Sequence, residues 1–329
     1  MPLSNFYGEL AAIAGAVCFG IGNVIIRSQG SKIKPIAINA IRLSFSAIFY
    51  FILILATRNL KATFSLYWKS SLLIVGGTLM GIIIGDVIFY QSQQLIGLSR
   101  AYPIAVSYPL LTYLIGIIFG YEIYNKFRIQ GVLLVVLGVY LVSSSTENQL
   151  TKLTNYNNKK VLFSLLVNSK EIEKSELNIN ELKIRRNILL GIFGAITTAV
   201  CWTIGTIMMD QGLNEEISGV SANAFRMICI APIAMSVFLI GNRGNMKSKF
   251  TKKGVFWILL AGIIGNTLGS LFYILALSFS EASTTAAITA ASPLIATPLA
   301  VIFIKEKISL MLVIGTLLTM CGIWLIILY

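Results

Sequence analysis

The 329-residue sequence contains no histidine, so it lacks the commonest metal ligand and the commonest acid/base group near neutral pH. Cysteine is almost as scarce. The four present, Cys18, Cys201, Cys229 and Cys321, all fall inside apolar runs, where they read as small packed side chains and give neither a disulfide framework nor a paired metal spacing. Carboxylates are few: 13 Asp and Glu stand against 26 Lys and Arg, for a net charge of +13. No GxxxxGK[ST] stretch occurs, which removes the phosphate cradle that ATP-driven transport by this chain alone would need. Nor does any His, Asp and Cys cluster gather at a helix or loop end. No enzyme activity, metal or cofactor is therefore expected.

What is abundant is apolar. Hydrophobic residues make up 56% of the chain, charged residues 12%, and mean hydropathy is +0.82, far beyond what a soluble domain needs. A helix needs roughly 20 mainly apolar residues to cross the hydrocarbon core. Ten runs qualify: 6 to 26, 35 to 57, 70 to 94, 101 to 121, 127 to 145, 188 to 209, 219 to 241, 254 to 279, 283 to 304 and 308 to 328. They lack the strict alternation of membrane-barrel strands, which are about 10 residues long. The first run follows "MPLSNFYGEL", with no positive start, and reads as a retained helix and not a cleaved signal peptide. The fold class expected is an all-α integral membrane protein with ten transmembrane helices, multi-pass in the cell membrane. The basic surplus sits mainly in loops, which suits anionic headgroups of a lipid bilayer and not nucleic acid.

The chain repeats itself. "NAIR" at 39 to 42 returns as "NAFR" at 223 to 226, a shift of 184. A shift of 183 lays Cys18, Ile21 and Gly22 over Cys201, Ile204 and Gly205. Late in each half, Pro109, Leu110, Ile118, Phe119, Glu122, Gly131 and Gly138 fall on Pro293, Leu294, Ile302, Phe303, Glu306, Gly315 and Gly322. With three leucines this makes 10 identities over positions 109 to 142. The chain divides into a first five-helix repeat at 1–145, a polar basic connection at 146–186 and a second repeat at 187–329. Five spans per repeat is an odd number, so the second copy enters from the opposite face. The result is an inverted-topology pair, an arrangement recurrent in secondary transporters with a site near the midplane.

Ten helices in a five-plus-five duplication, an arginine early in the second helix of each half and a proline-containing fourth helix ending in glutamate resemble the drug/metabolite transporter superfamily, specifically its EamA-type transporters. The likeness covers nearly the whole chain except 146–186, which is longer than that family's usual mid-chain connection. The resemblance implies export of a small organic solute such as an amino acid by alternating access, coupled to protons or by facilitated diffusion. The rival is a non-transporting or lipid-handling membrane protein. A homodimer is left open.

Orientation divides the evidence. Five loop Lys and Arg lie on the face that holds the N-terminus and 19 on the other, which by the positive-inside rule places both termini outside. The family resemblance implies termini inside. The central segment reads as a solvated or partly helical linker, with an interfacial amphipathic helix as the other option.

Few side chains inside the runs can carry chemistry. Asp86 is the only acid well inside a span. It is a candidate contact for a cationic solute or a proton, or a structural partner of Arg42 or Arg100. Its repeat counterpart is Gly269, and Tyr90 shares its face one turn on. Asn23 and Trp202 lie near the shared glycines, and Trp202 sits away from the interfacial belt, fit to wall a cavity or to pack in the core. Asn266 and Tyr273 lie two turns apart on one helix face. Tyr102, Ser107 and Ser292 belong to the small, polar stretches "RAYPIAVSYP" and "TTAAITAASP", where Pro103, Pro109, Pro293 and Pro298 are candidate helix breaks beside a pathway. Arg42 and Arg226 read as interface anchors or as a duplicated architectural charge, Glu122 and Glu306 as residues that mark the membrane surface and stabilise helix ends.

Overall fold

In lipid every backbone N–H and C=O must be satisfied within its own segment, so apolar runs of this length fold as helices. The computed structural model describes residues 3–29, 33–118, 125–142, 172–213, 218–242, 251–279, 282–306 and 308–328, and every regular element among them is helical. In chain order these are α1 (Leu3–Ser28), α2 (Pro35–Ala56), a short α3 (Leu60–Phe64), α4 (Trp68–Ile96), α5 (Leu98–Ala105), α6 (Tyr108–Ile118) and α7 (126–142). Then come α8 (Ile172–Gly212), α9 (Gly219–Asn242), α10 (Lys252–Phe279), α11 (Ala282–Ala290), α12 (Pro293–Leu299, widening over Ala300–Ile304) and α13 (Leu310–Leu328). Helix α8 begins inside the segment read from sequence as the connection. Glu122 and residues 146–171 lie outside the described residues.

Among the described residues six helices are long and apolar enough to cross a membrane, and the stretches Ile288–Ile304 and Leu310–Leu325 are apolar but shorter. The chain is a multi-pass membrane protein, and its surface fits. Ile48, Ile52, Phe193 and Ile240 point outward, whereas Asn39, Arg42, Asn223 and Arg226 are buried. Arg42 and Arg226 are each 5% exposed, which removes the reading of them as anchors reaching for the membrane surface.

The runs at 101 to 121 and 283 to 304 are not continuous helices. Each breaks just before or at a proline, Pro109 in one case and Pro293 in the other. The breaks share one hydrogen-bond pattern. Ser107 N–H donates to Ile104 O (3.3 Å) and Leu110 N–H to Ser107 O (3.0 Å). Ala291 N–H donates to Ile288 O (3.1 Å) and Leu294 N–H to Ala291 O (2.9 Å). Three-residue turns thus replace the α bonds that a proline nitrogen cannot make. Pro103 lies inside α5 and Pro298 inside α12.

Helices α4 and α10 widen into π turns at Leu79–Gly85 and Gly262–Gly269. Side chains from neighbouring helices satisfy the carbonyls there: Asn39 Nδ2 donates to Ile82 O (2.6 Å), Tyr50 OH to Thr267 O (2.6 Å) and Thr198 Oγ1 to Gly85 O (3.3 Å).

Packing is reciprocal between the halves. Helix α1 lies against α10, α8 against α4, and α2 against α9. Glycine allows these approaches: a Cβ on Gly22 would lie 3.0 Å from Gly265 Cα, and one on Gly205 2.8 Å from Gly77 O. Helices α7 and α13 cross in the same fashion, since a Cβ on Gly315 would lie 2.8 Å from Gly138 O and one on Gly322 would meet Gly131 O.

Candidate binding site

The two π turns and the two proline breaks surround one cavity of about 170 Å³. A widened turn re-aims the side chains that follow it. In α4 the widening is followed directly by Asp86, Phe89 and Tyr90, all of which line the cavity. In α10 Asn266 lies within the widening, Ser270 and Tyr273 follow it, and all three line the cavity.

Asp86 is fully engaged. One Arg42 Nη donates to its Oδ2 in a short ion pair, and Trp202 Nε1–H donates to its Oδ1 at 2.9 Å. Arg42 is fixed in turn by Nε donation to Asn39 Oδ1 (2.9 Å) and by stacking of its guanidinium 5.0 Å from the Tyr90 ring centroid. The ring of Trp202 is itself packed edge-on against Phe89 (5.1 Å between centroids) and Tyr108 (6.1 Å). An acid, an arginine and an indole from α4, α2 and α8 thus form one closed network on the cavity wall.

Arg226 has no such partner. Its Nε donates to Asn223 Oδ1 at 2.7 Å, and Ser270 Oγ donates to the same oxygen at 3.1 Å. Elsewhere Tyr273 OH meets Thr206 Oγ1 (3.2 Å), and Tyr108 OH donates to Ala286 O (3.2 Å) beside Thr289.

The structure gathers most of the residues singled out from sequence. Asp86, Tyr90, Asn23, Trp202, Asn266, Tyr273, Tyr102 and Ser292 all line this cavity; Ser107 does not, its hydroxyl donating instead to Ile104 O at 2.7 Å in the break. Arg42 and Arg226, read as structural, line the cavity as well. Sequence reasoning passed over Phe19, Phe89, Tyr108, Thr206 and Thr289, which complete the wall. For Tyr108 the signal was its place beside Pro109 at a break.

Glu306 stabilises a helix end, that of α5 and not its own. Its carboxylate accepts the N–H groups of Leu98 and Ser99 (3.0 Å each) and Arg27 Nε (2.9 Å), capping α5 from the other half of the chain. Burial pushes this carboxyl up, but the Ser99 N–H, the Arg27 guanidinium and the Leu98 N–H together hold it below the ordinary glutamate range.

A helical, multi-pass membrane protein whose polar groups turn inward on a cavity between two similar halves belongs to the transporter class of architectures. The family model of the EamA-like transporter family matches residues 6–144 and again 189–328, and the chain belongs to that family. A curated relative named "Uncharacterized transporter", from Archaeoglobus fulgidus, is 22% identical over 320 residues and aligns over 97% of each chain. A solved protein crystal structure is similar over 97% of this chain and 95% of its own with a TM-score of 0.63, at 14% identity, which supports the fold. The protein is a membrane transporter.

Proposed function

We propose that the chain is a secondary transporter that carries small organic solutes across the cell membrane by alternating access of the central cavity, its two five-helix repeats being related by inverted topology. The observation that carries this reading is the reciprocal wall of the cavity. The first helix of each half packs on the third helix of the other through Gly22 with Gly265 and Gly205 with Gly77, so the cavity lies at the seam between two similar bodies. Rocking of one body against the other opens such a seam to one face at a time. The paired breaks at 106–107 and 291–292 and the two π turns supply the points where helices can bend. Export, and metabolites of amino-acid size, are what the family resemblance adds.

Purified protein in liposomes, loaded with unlabelled solute and assayed for counterflow of labelled solute from a metabolite panel, tests this. Saturable flux above empty liposomes is the expected result. Absence of flux for every solute, with lipid scrambling in its place, would support a lipid-handling protein.

A further inference from the structure

Among the described residues the cavity wall carries two arginines and one carboxylate, with no Lys or Glu. Both oxygens of the carboxylate are occupied, Asp86 Oδ2 by Arg42 and Oδ1 by the Trp202 indole. The charge of that carboxylate is already met by Arg42. Arg226 is open. Its Nε bond to Asn223 fixes the plane of the guanidinium, but among the described residues no carboxylate pairs with it and its terminal nitrogens meet no hydrogen-bond acceptor. It is 95% buried and lines the cavity. Asn223 Nδ2 beside it is also buried without an acceptor.

A buried guanidinium without a counter-charge is costly, and its terminal N–H groups form a planar fork that matches a carboxylate. The same wall offers an ammonium group only neutral acceptors and a carboxylate that Arg42 already neutralises. The remaining surface is aromatic, from Phe19, Phe89, Tyr108 and Trp202, and a cavity of about 170 Å³ compares with the ~150 Å³ that holds a benzene-sized group.

We propose that Arg226 is the anchor for the head group of the solute, and that the solute is a small organic monocarboxylate whose apolar body lies against the aromatic wall. This rests on the transport reading above and reverses the sign of the cargo that Asp86 alone would suggest. Arg42 and Arg226, equivalent in sequence, thus divide their tasks: Arg42 holds the wall together and Arg226 faces the solute.

The test uses the full-length purified chain and three probes of like shape, benzoate, benzamide and benzylamine. A ligand that prefers the folded state raises its melting temperature. Benzoate is expected to raise it, with benzamide and benzylamine weaker by roughly ten-fold or more in apparent affinity. Arg226→Gln should lose the benzoate response, and Arg226→Lys, which keeps the charge but not the fork, should bind benzoate with intermediate affinity. If Arg226→Gln does not fold, the order of the three probes on the unsubstituted protein and the Arg226→Lys titration still decide. A benzylamine response equal to or above that of benzoate, no response to benzoate, or an unchanged benzoate response in a folded Arg226 variant each overturns the proposal. Counterflow in liposomes separates the two claims. Flux of neutral or cationic solutes that ignores Arg226→Gln leaves the transporter standing and removes the anion anchor. Benzoate binding that depends on Arg226 without flux of any solute does the reverse.

Discussion

Asn39 and Asn223 each stand three residues before an arginine and accept a hydrogen bond from its Nε, at 2.9 Å and 2.7 Å, but only Asn39 also donates, to the carbonyl of Ile82 at 2.6 Å. The amide nitrogen of Asn223 is buried with no acceptor among the described residues. Asn39→Ala therefore strands a π-turn carbonyl and the Nε of Arg42, and should cost about 2–3 kcal/mol, at roughly 1 kcal/mol or more per buried bond lost. Asn223→Ala also frees its arginine's Nε and the hydroxyl of Ser270, yet removes an orphaned donor, and should cost about 1 kcal/mol less. Melting temperatures of the two variants in one detergent check the order; a larger loss for Asn223→Ala would contradict it.

The glycine contacts rank in the same manner. A Cβ on Gly205 would lie 2.8 Å from the backbone oxygen of Gly77, an atom that cannot swing away. A Cβ on Gly265, on the equivalent contact, would meet Gly22 Cα at 3.6 Å, an ordinary packing distance. Gly205→Ala should force α8 off α4 and destabilise by about 2 kcal/mol or more, whereas Gly265→Ala should stay within about 1 kcal/mol. The monodisperse yield after a heat step reads this directly, and equal losses would show that the two contacts are not graded by space.

Glu306 gives a prediction in pH. Its carboxyl lies below the ordinary glutamate range in the folded protein, so the stability it contributes is fully present above the unfolded value and is lost as pH falls through the folded one. Glu306→Gln should lower stability at neutral pH by about 1–2 kcal/mol, the worth of a charged cap, and should flatten the decline seen with acidification below the ordinary glutamate range. Gly97 adjoins this cap at φ +88°, and a Cβ there would lie 3.2 Å from Glu306 Oε1. Gly97→Ala is expected to cost about 1–3 kcal/mol for the backbone alone. Thermal melts at stepped pH decide; an acid limb unchanged in Glu306→Gln would remove the residue from the account.

Much of this was written in the sequence because lipid leaves so few options. Apolar runs had to be helices, and polar residues inside them had to face something other than lipid, which is why Asp86, Asn23, Trp202 and Asn266 converge on one cavity. The matched glycines were visible as repeat identities; that Gly138 meets Gly315 and Gly131 meets Gly322 was not, because identity at a shift says nothing of which copy touches which. Phe89, Tyr108, Thr206 and Thr289 were passed over because such residues serve equally on a lipid-facing or an inward face, and only packing separates the two. The unequal fate of the arginines was foreshadowed: the counterpart of Asp86 is Gly269, so the second copy had no acid to offer Arg226.

That inequality gives the sharpest test of the wall itself. Arg42 is buried and Asp86 largely so, and removing one leaves the other charged without a counter-ion, at an expected cost of about 3 kcal/mol for Arg42→Gln or Asp86→Asn alone. The double variant leaves no stranded charge, since the asparagine keeps an oxygen for the Trp202 indole, now 2.9 Å from Oδ1. Its cost should fall short of the sum of the singles by about 1–3 kcal/mol. Additive losses would mean that the two residues act independently. Asp86 would then be a free carboxylate facing the cavity, and the balance of charge that singles out Arg226 would no longer hold.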